Sequence, residues 1–239
     1  MFLYLEAVKD LLFPPLCLGC EQRLESSRPP LFCPDCLTAL AFIRSPCCPC
    51  CGIPFATGGD HLCGDCLSSR YAFDFARSLF YYQPPISTLI LSLKFGGHLT
   101  GVSTLGALTA RSEDLGAFGE PDLIVPVPLH PSRLRERGFN QASVIARECF
   151  PQWRNRIEVD LLFRLRAALP QSLLTGKERR SNLKKVFSVA RAPGVAGKRV
   201  LLVDDVFTTG STVDECSRVL RLAGAVRIEI FTLARSLPR

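Results

Sequence analysis

From about Ala76 onward the apolar positions fall into short strand-like runs separated by stretches with helical spacing. Ser78–Tyr82 and Asp122–Val127 read as short apolar strands, the second closed by Pro126 and Pro128. Ile86–Phe95 and Leu99–Ala110 carry helical periodicity, the first bounded by Pro84-Pro85 and the second preceded by Gly96-Gly97. Asn140–Phe150 repeats that spacing. Val200–Val203 is a Val/Leu run of the kind buried on both faces of a parallel sheet. Ser211–Leu222 reads as a helix stopped by Gly224, and Val226–Leu233 as the returning strand. The alternation predicts an α/β fold, a parallel sheet flanked by helices, with ligands at the carboxyl ends of the strands.

That rule locates candidate chemistry. The strand ending at Val203 delivers Asp204 and Asp205 to the carboxyl edge, and Thr208, Thr209, Gly210, Ser211 and Thr212 follow as the chain turns into a helix. Small hydroxyl residues and Gly let backbone N–H groups approach a phosphate at a helix N-terminus, where the dipole favours an anion. Two carboxylates beside a phosphate need another partner, either vicinal sugar hydroxyls or Mg²⁺. An acidic pair after a strand is ordinary alone, and so is a hydroxyl-rich helix cap. Together and in this order they point to a ribose bearing a 5′-phosphate. The Lys of a Walker A loop and a GxGxxG fingerprint are both missing, which excludes those two phosphate-binding readings.

Cysteine usage divides the chain. Of 12 Cys, all but Cys149 and Cys216 lie between Cys17 and Cys66. The shift predicts a Cys-rich module over residues 1–70 ahead of a larger domain over 71–239, with the boundary near Ser68–Ala76. Four CxxC pairs stand in order: Cys17/Cys20, Cys33/Cys36, Cys48/Cys51 and Cys63/Cys66. Two residues between Cys let both sulfurs turn toward one ion, and two such knuckles complete a tetrahedral Zn–S₄ site. The expectation is therefore two structural Zn²⁺ ions. Cys47/Cys50 offers a shifted CxxC, but Pro49 and Gly52 favour Cys48/Cys51 as the knuckle. Sequential and cross-braced pairings of the knuckles both remain open. His61 is read as incidental, and regular spacing of four pairs disfavours a redox dithiol.

Charge is uneven. Residues 130–200 hold 16 Lys/Arg against 5 Asp/Glu, although the whole chain nets only +7. Such a segment suits phosphate or nucleic acid, or is simply a solvated surface. Leu3, Leu5, Val8, Leu11 and Leu12 read as a short amphipathic helix interrupted by charge rather than an export signal. No uninterrupted apolar run of about 18 residues exists to span a membrane. A cytoplasmic protein, with thiols reduced and metal-bound, is expected.

Val200–Thr212, VLLVDDVFTTGST, resembles the phosphoribosyl pyrophosphate (PRPP) motif of type I phosphoribosyltransferases. Around it, Leu91–Gly97, Asp122–Ala142, Gln171–Phe187 and Ala223–Arg235, with the N-terminal Cys module, resemble the ComF family associated with DNA uptake and natural competence. Ala168 stands where that family commonly has Thr. The resemblance implies that Asp204 and Asp205 meet the ribose hydroxyls, directly or through Mg²⁺, while Thr208–Thr212 hold the 5′-phosphate. It implies that the loop Pro128–Arg137 binds pyrophosphate through Arg133, Arg135 and Arg137. A flexible loop, Gln171–Asn182, would close over PRPP with Arg179 and Asn182 as contacts. Lys94 is a phosphate contact or a helix end reaching to solvent.

Two functions compete: a PRPP-dependent transferase of unknown acceptor, and a non-catalytic adaptor that binds single-stranded DNA and other DNA-uptake proteins. Single-strand binders pair a basic groove with aromatic platforms. Phe139 and Trp153 are candidates, whereas Phe163 and Phe187 sit in apolar contexts and are read as core.

Overall fold

The computed structural model describes residues 14–68, 71–95, 101–110, 113–165, 186–190 and 194–237. Six strands are present among them: β1 (Phe75–Tyr81), β2 (Leu123–Pro126), β3 (Leu162–Arg164), β4 (Phe187–Val189), β5 (Arg199–Phe207) and β6 (Arg227–Arg235). β1, β6, β5 and β2, in that spatial order, form one parallel sheet, while β3 and β4 make a separate antiparallel pair.

Side-chain alternation along β5 and β6 explains the apolar runs. Leu201, Val203, Phe231 and Leu233 belong to one buried cluster, and Val200, Leu202, Ile228 and Ile230 to the other. Both faces of the sheet are therefore covered, as parallel pairing with helical crossovers requires. On the first face α3 (Ile86–Phe95) contributes Ile86, Leu89, Ile90 and Leu93, one stripe at helical spacing. α4 (Val102–Thr109) and α6 (Gln141–Cys149) complete that layer with Leu105, Leu108, Ile145 and Cys149. On the second face α7 (Ser211–Leu222) packs Val213, Cys216 and Leu220 beside Leu162 and Phe187 of the hairpin.

Several expected boundaries shift. β1 starts at Phe75 rather than Ser78, and the described helix in 99–110 is Val102–Thr109. β5 does not stop at Val203. Its pairing with β6 continues through Asp204↔Thr232 to Phe207↔Arg235, whereas pairing with β2 ends at Pro126↔Val203. After the Val127 N–H donates to the Val203 carbonyl at 2.8 Å, Pro128 has no N–H to offer and the chain departs. Asp204 and Asp205 thus lie beyond the end of β2, bonded on one side only. The expected loop Pro128–Arg137 is largely α5 (Pro131–Arg137), started by His130 and Pro131 and ended by Gly138 at φ +78°. Phe163 is 43% exposed rather than core; Phe187 is buried as expected.

The Cys-rich segment carries two short helices, α1 (Pro34–Thr38) and α2 (Gly64–Ser68). It lies along the free edge of β1. Ile43 N–H donates to the Leu79 carbonyl at 2.8 Å, Tyr81 N–H to Ala41 at 3.0 Å, and Ala76 N–H to Cys50 at 2.7 Å. Covering an edge in this way satisfies backbone groups that would otherwise invite pairing with another chain. Each core extends into this segment: Cys17, Phe32 and Cys33 join the first cluster, Cys48 and Cys51 the second. Among the described residues no helix is long and apolar enough to cross a membrane.

Candidate functional site

Where β2 ends and β5 continues, a cleft of about 470 Å³ opens over the carboxyl edge of the sheet. Its acidic floor is Asp204 and Asp205. Asp205 is paired with Lys94, Nζ to Oδ2 2.6 Å, with both side chains largely buried. The last turn of α3 aims Lys94 back across the sheet edge at a carboxylate rather than out to solvent, and sets it on the lining of the cleft. Asp204 makes no ion pair among the described residues; it accepts the Asp205 N–H at 2.9 Å. Burial, followed by the adjacent Asp205 carboxylate, pushes Asp204 up to about 7. A carboxyl so placed gains much from a cation or a hydroxyl donor.

Of the hydroxyl loop, Thr208 and Thr212 line the cleft. Thr209 and Ser211 instead bond each other, Oγ1 to Oγ at 2.8 Å, on the exposed outside of the turn. Gly210 caps α7 with φ +73°, and a Cβ there would meet the Phe207 ring at 2.5 Å. Only Gly fits both the backbone angle and the space. The Asp214 N–H bond to the Gly210 carbonyl, 2.8 Å, closes the first turn beneath the loop.

The opposite wall is cationic. Arg133 and Arg137, one turn apart on α5, line the cleft, while Arg135 does not. Arg137 donates to Gln141 Oε1 at 3.2 Å, and Gln141 in turn donates to the Leu93 carbonyl at 3.2 Å, which ties this wall to α3. Asn140 caps α6 through the Ala142 N–H and donates to the Val127 carbonyl at 2.9 Å, fixing where the chain leaves β2. Arg164, at the end of β3, also lines the cleft and was not anticipated. Its Nε is buried without a hydrogen-bond partner among the described residues, and its guanidinium lies 5.6 Å over the Phe187 ring. Burial lowers its pKa from the usual guanidinium value. No motif marks Arg164, because a three-residue strand has no periodicity to read. Arg179 and Asn182, and Gln171–Asn182 as a whole, lie outside the described residues, as does the expected N-terminal helix within residues 1–13.

The cysteines resolve into two clusters, Cys17/Cys20/Cys33/Cys36 and Cys48/Cys51/Cys63/Cys66, so the knuckles pair sequentially. Cys20–Cys33 and Cys51–Cys63 sulfurs are each 3.7 Å apart. Tetrahedral bonds of about 2.3 Å give S–S edges of about 3.8 Å, so the donor sets fit Zn²⁺. Burial would raise the Cys17 thiol, but N–H groups of Cys33, Gly19 and Cys20 outweigh it and bring the pKa to about 7. Cys48 is likewise lowered to about 7, with N–H groups of Cys63, Cys51 and Cys50 overcoming burial. Cys47 and Cys50 are outside both clusters; Cys47 N–H donates to Asp60 instead. His61 stacks on Phe55 at 3.9 Å and bonds the Gly59 carbonyl, so it is no ligand.

Comparison with known proteins agrees with both halves. A double zinc ribbon domain matches residues 8–67, and a phosphoribosyl transferase domain matches residues 145–237. Competence protein F of Haemophilus influenzae is 32% identical over 230 residues, covering 92% of this chain and 90% of that protein. DNA utilization protein YhgH of Salmonella typhimurium is 34% identical over 235 residues, covering 95% and 100% respectively. Competence protein ComFC of Bacillus subtilis is 29% identical over 223 residues, covering 85% and 84%. With the sheet edge, the acidic pair and the two Cys₄ clusters in place, this chain belongs to the ComF family.

Proposed function

We propose that the cleft binds PRPP with Mg²⁺, and that residues 71–239 form a phosphoribosyltransferase-type domain on which residues 1–70 are docked as a zinc module. The observation that carries this reading is Asp204, a half-buried carboxyl without an ion pair among the described residues. It lies in one cleft with Thr208, Thr212 and the guanidiniums of Arg133 and Arg164. Asp204 would take the ribose hydroxyls or the Mg²⁺ that accompanies PRPP, and Asp205 would be released to it as Lys94 turns toward phosphate. Thr208, Thr212 and the N-terminus of α7 would hold the 5′-phosphate. Arg133, Arg137 and Arg164 suit pyrophosphate.

In transfer, the C1–O bond breaks and pyrophosphate leaves with the electron pair, while the acceptor's lone pair forms the new bond to C1. The chain's contribution is electrostatic: guanidiniums stabilise the charge that develops on the leaving group in a site shielded from water. No strong base is required of the protein. The names of the relatives connect this chemistry to DNA uptake or utilisation, and we place it in the cytoplasm, where reduced thiols keep zinc.

Calorimetric titration of PRPP with Mg²⁺ into wild type, Asp204→Asn and the double variant Asp204→Asn/Asp205→Asn tests the reading. The single variant is expected to weaken binding at least tenfold, and the double variant further. Unaltered affinity in the double variant removes the site.

A further inference from the structure

Arg235, the last residue of β6, is outside the cleft and only 5% exposed. Three contacts define it. Nη1 donates to the Cys51 carbonyl at 2.6 Å, Nη2 lies 3.7 Å from Cys51 Sγ, and Cζ sits 4.3 Å above the centre of the Phe207 ring. Its Nε has no hydrogen-bond partner among the described residues. The ring beneath it is the one that Gly210 covers so closely that a Cβ would overlap it. A continuous stack therefore runs from a ligand of the second Cys₄ cluster, through the guanidinium and the Phe207 ring, to the glycine that shapes the hydroxyl loop.

Charge gives this stack a reason. Four thiolates around Zn²⁺ carry a local −2, and a buried guanidinium beside one sulfur is the natural counter-charge. Without that centre Arg235 is a buried cation facing one carbonyl and one aromatic face, which is costly. A bound ion would hold the guanidinium where it lies, against the ring on which Gly210 rests. The first Cys₄ cluster packs elsewhere: Cys17 and Cys33 belong to the other core, apart from Phe207.

We propose that Arg235 is a positioning residue coupling the second zinc site to the sugar-phosphate loop, so that metal at Cys48/Cys51/Cys63/Cys66 and ligand at Thr208–Thr212 favour each other. This rests on the reading of that loop as the 5′-phosphate site. Coupling of this kind is reciprocal: each ligand changes the other's affinity by the same factor.

The experiment uses the full zinc-loaded chain and ribose 5-phosphate as probe. Zinc affinities are measured by chelator competition with and without saturating probe, and probe affinity by calorimetry. In wild type, one of the two ions is expected to be held roughly fivefold or more tighter with probe bound, within the usual range of coupling, and the other to be unchanged. Arg235→Met is expected to keep both ions but lose that difference, weakening probe binding by the same factor; Arg235→Lys restores part of it. A purely structural role would lower stability without altering the coupling. Identical zinc affinities with and without bound probe in wild type overturn the proposal, as does coupling that survives in Arg235→Met. Should Arg235→Met not fold, the wild-type coupling and the Arg235→Lys value decide. Failure of wild type to bind the probe is a different result, since it removes the phosphate-loop reading and the coupling with it.

Discussion

Arg164→Met separates a ligand-binding guanidinium from a structural one, because the two roles predict opposite signs. In the ligand-free protein the Arg164 Nε is buried and unbonded among the described residues, while its guanidinium lies 5.6 Å over the Phe187 face and is attracted to Asp204 across the cleft. A buried unsatisfied donor costs about 1–3 kcal/mol, and a partly exposed cation–π contact returns about 0.5–1 kcal/mol. Met has similar length and no donor, so the variant is expected to be as stable as wild type, or more stable by about 1–2 kcal/mol. Binding should move the other way. Loss of a charge-assisted hydrogen bond to phosphate costs about 1.5–3 kcal/mol, or roughly 10–150-fold in affinity. The assays are urea unfolding of the ligand-free protein and calorimetry with PRPP and Mg²⁺, each on wild type and variant. A lower urea midpoint with unchanged PRPP affinity would refute the reasoning and make Arg164 a strut of the β3–β4 hairpin.

Four further outcomes are expected. Gly210→Ala must adopt φ +73° and drive its Cβ into the Phe207 ring; a loss of about 1–3 kcal/mol in unfolding free energy is expected, with tenfold or weaker PRPP binding by calorimetry. Asp204 is held above its unfolded value, near 3.9, at about 7. Its stabilising contribution is therefore fully present below about pH 4 and is lost as pH rises through about 7. Subtracting the urea midpoints of Asp204→Asn from wild type across pH 4–8 should expose that decline, and a flat difference would contradict it. Metal analysis should return two zinc ions per chain, and chelation should lower the melting temperature sharply, because Cys17, Cys33, Cys48 and Cys51 sit in the two cores. Single-stranded DNA binding by the basic segment, if it occurs, must weaken steeply between low and moderate salt; flat affinity in a filter-binding salt series excludes phosphate contacts.

Much of the fold was legible because its signals are local. The helix Ile86–Phe95 shows its buried stripe directly in the order of its residues, and Ser211–Leu222 is bracketed by Gly210 and Gly224. Four CxxC knuckles announce their metal through spacing alone. Short or irregular pieces gave no such signal. α5 was hidden because Pro, Arg and His on an exposed turn read as loop, and β3 and β4 are three-residue strands that pair across residues 166–185. At the candidate site, the acidic pair and hydroxyl loop were found from sequence, yet only Thr208 and Thr212 of that loop line the cleft. Whether a residue of a tight turn faces inward depends on backbone angles that composition does not reveal.

VLLVDDVFTTGST determines, by itself, a buried strand carrying two carboxylates toward its end and a helix cap suited to phosphate. Burial on both faces, a turn glycine and clustered hydroxyls are properties of neighbouring residues, and neighbours are what a sequence records. Only the tertiary structure decided what those groups face. It paired Asp205 with Lys94 from α3, left Asp204 without an ion pair among the described residues, brought Arg164 from a distant strand to the same cleft, and set Arg235 between a zinc ligand and the ring beneath Gly210. Each is a contact between residues far apart in the chain, made by packing helices and a zinc module around one sheet. No periodicity or motif encodes such a meeting, because it depends on the summed geometry of every element between.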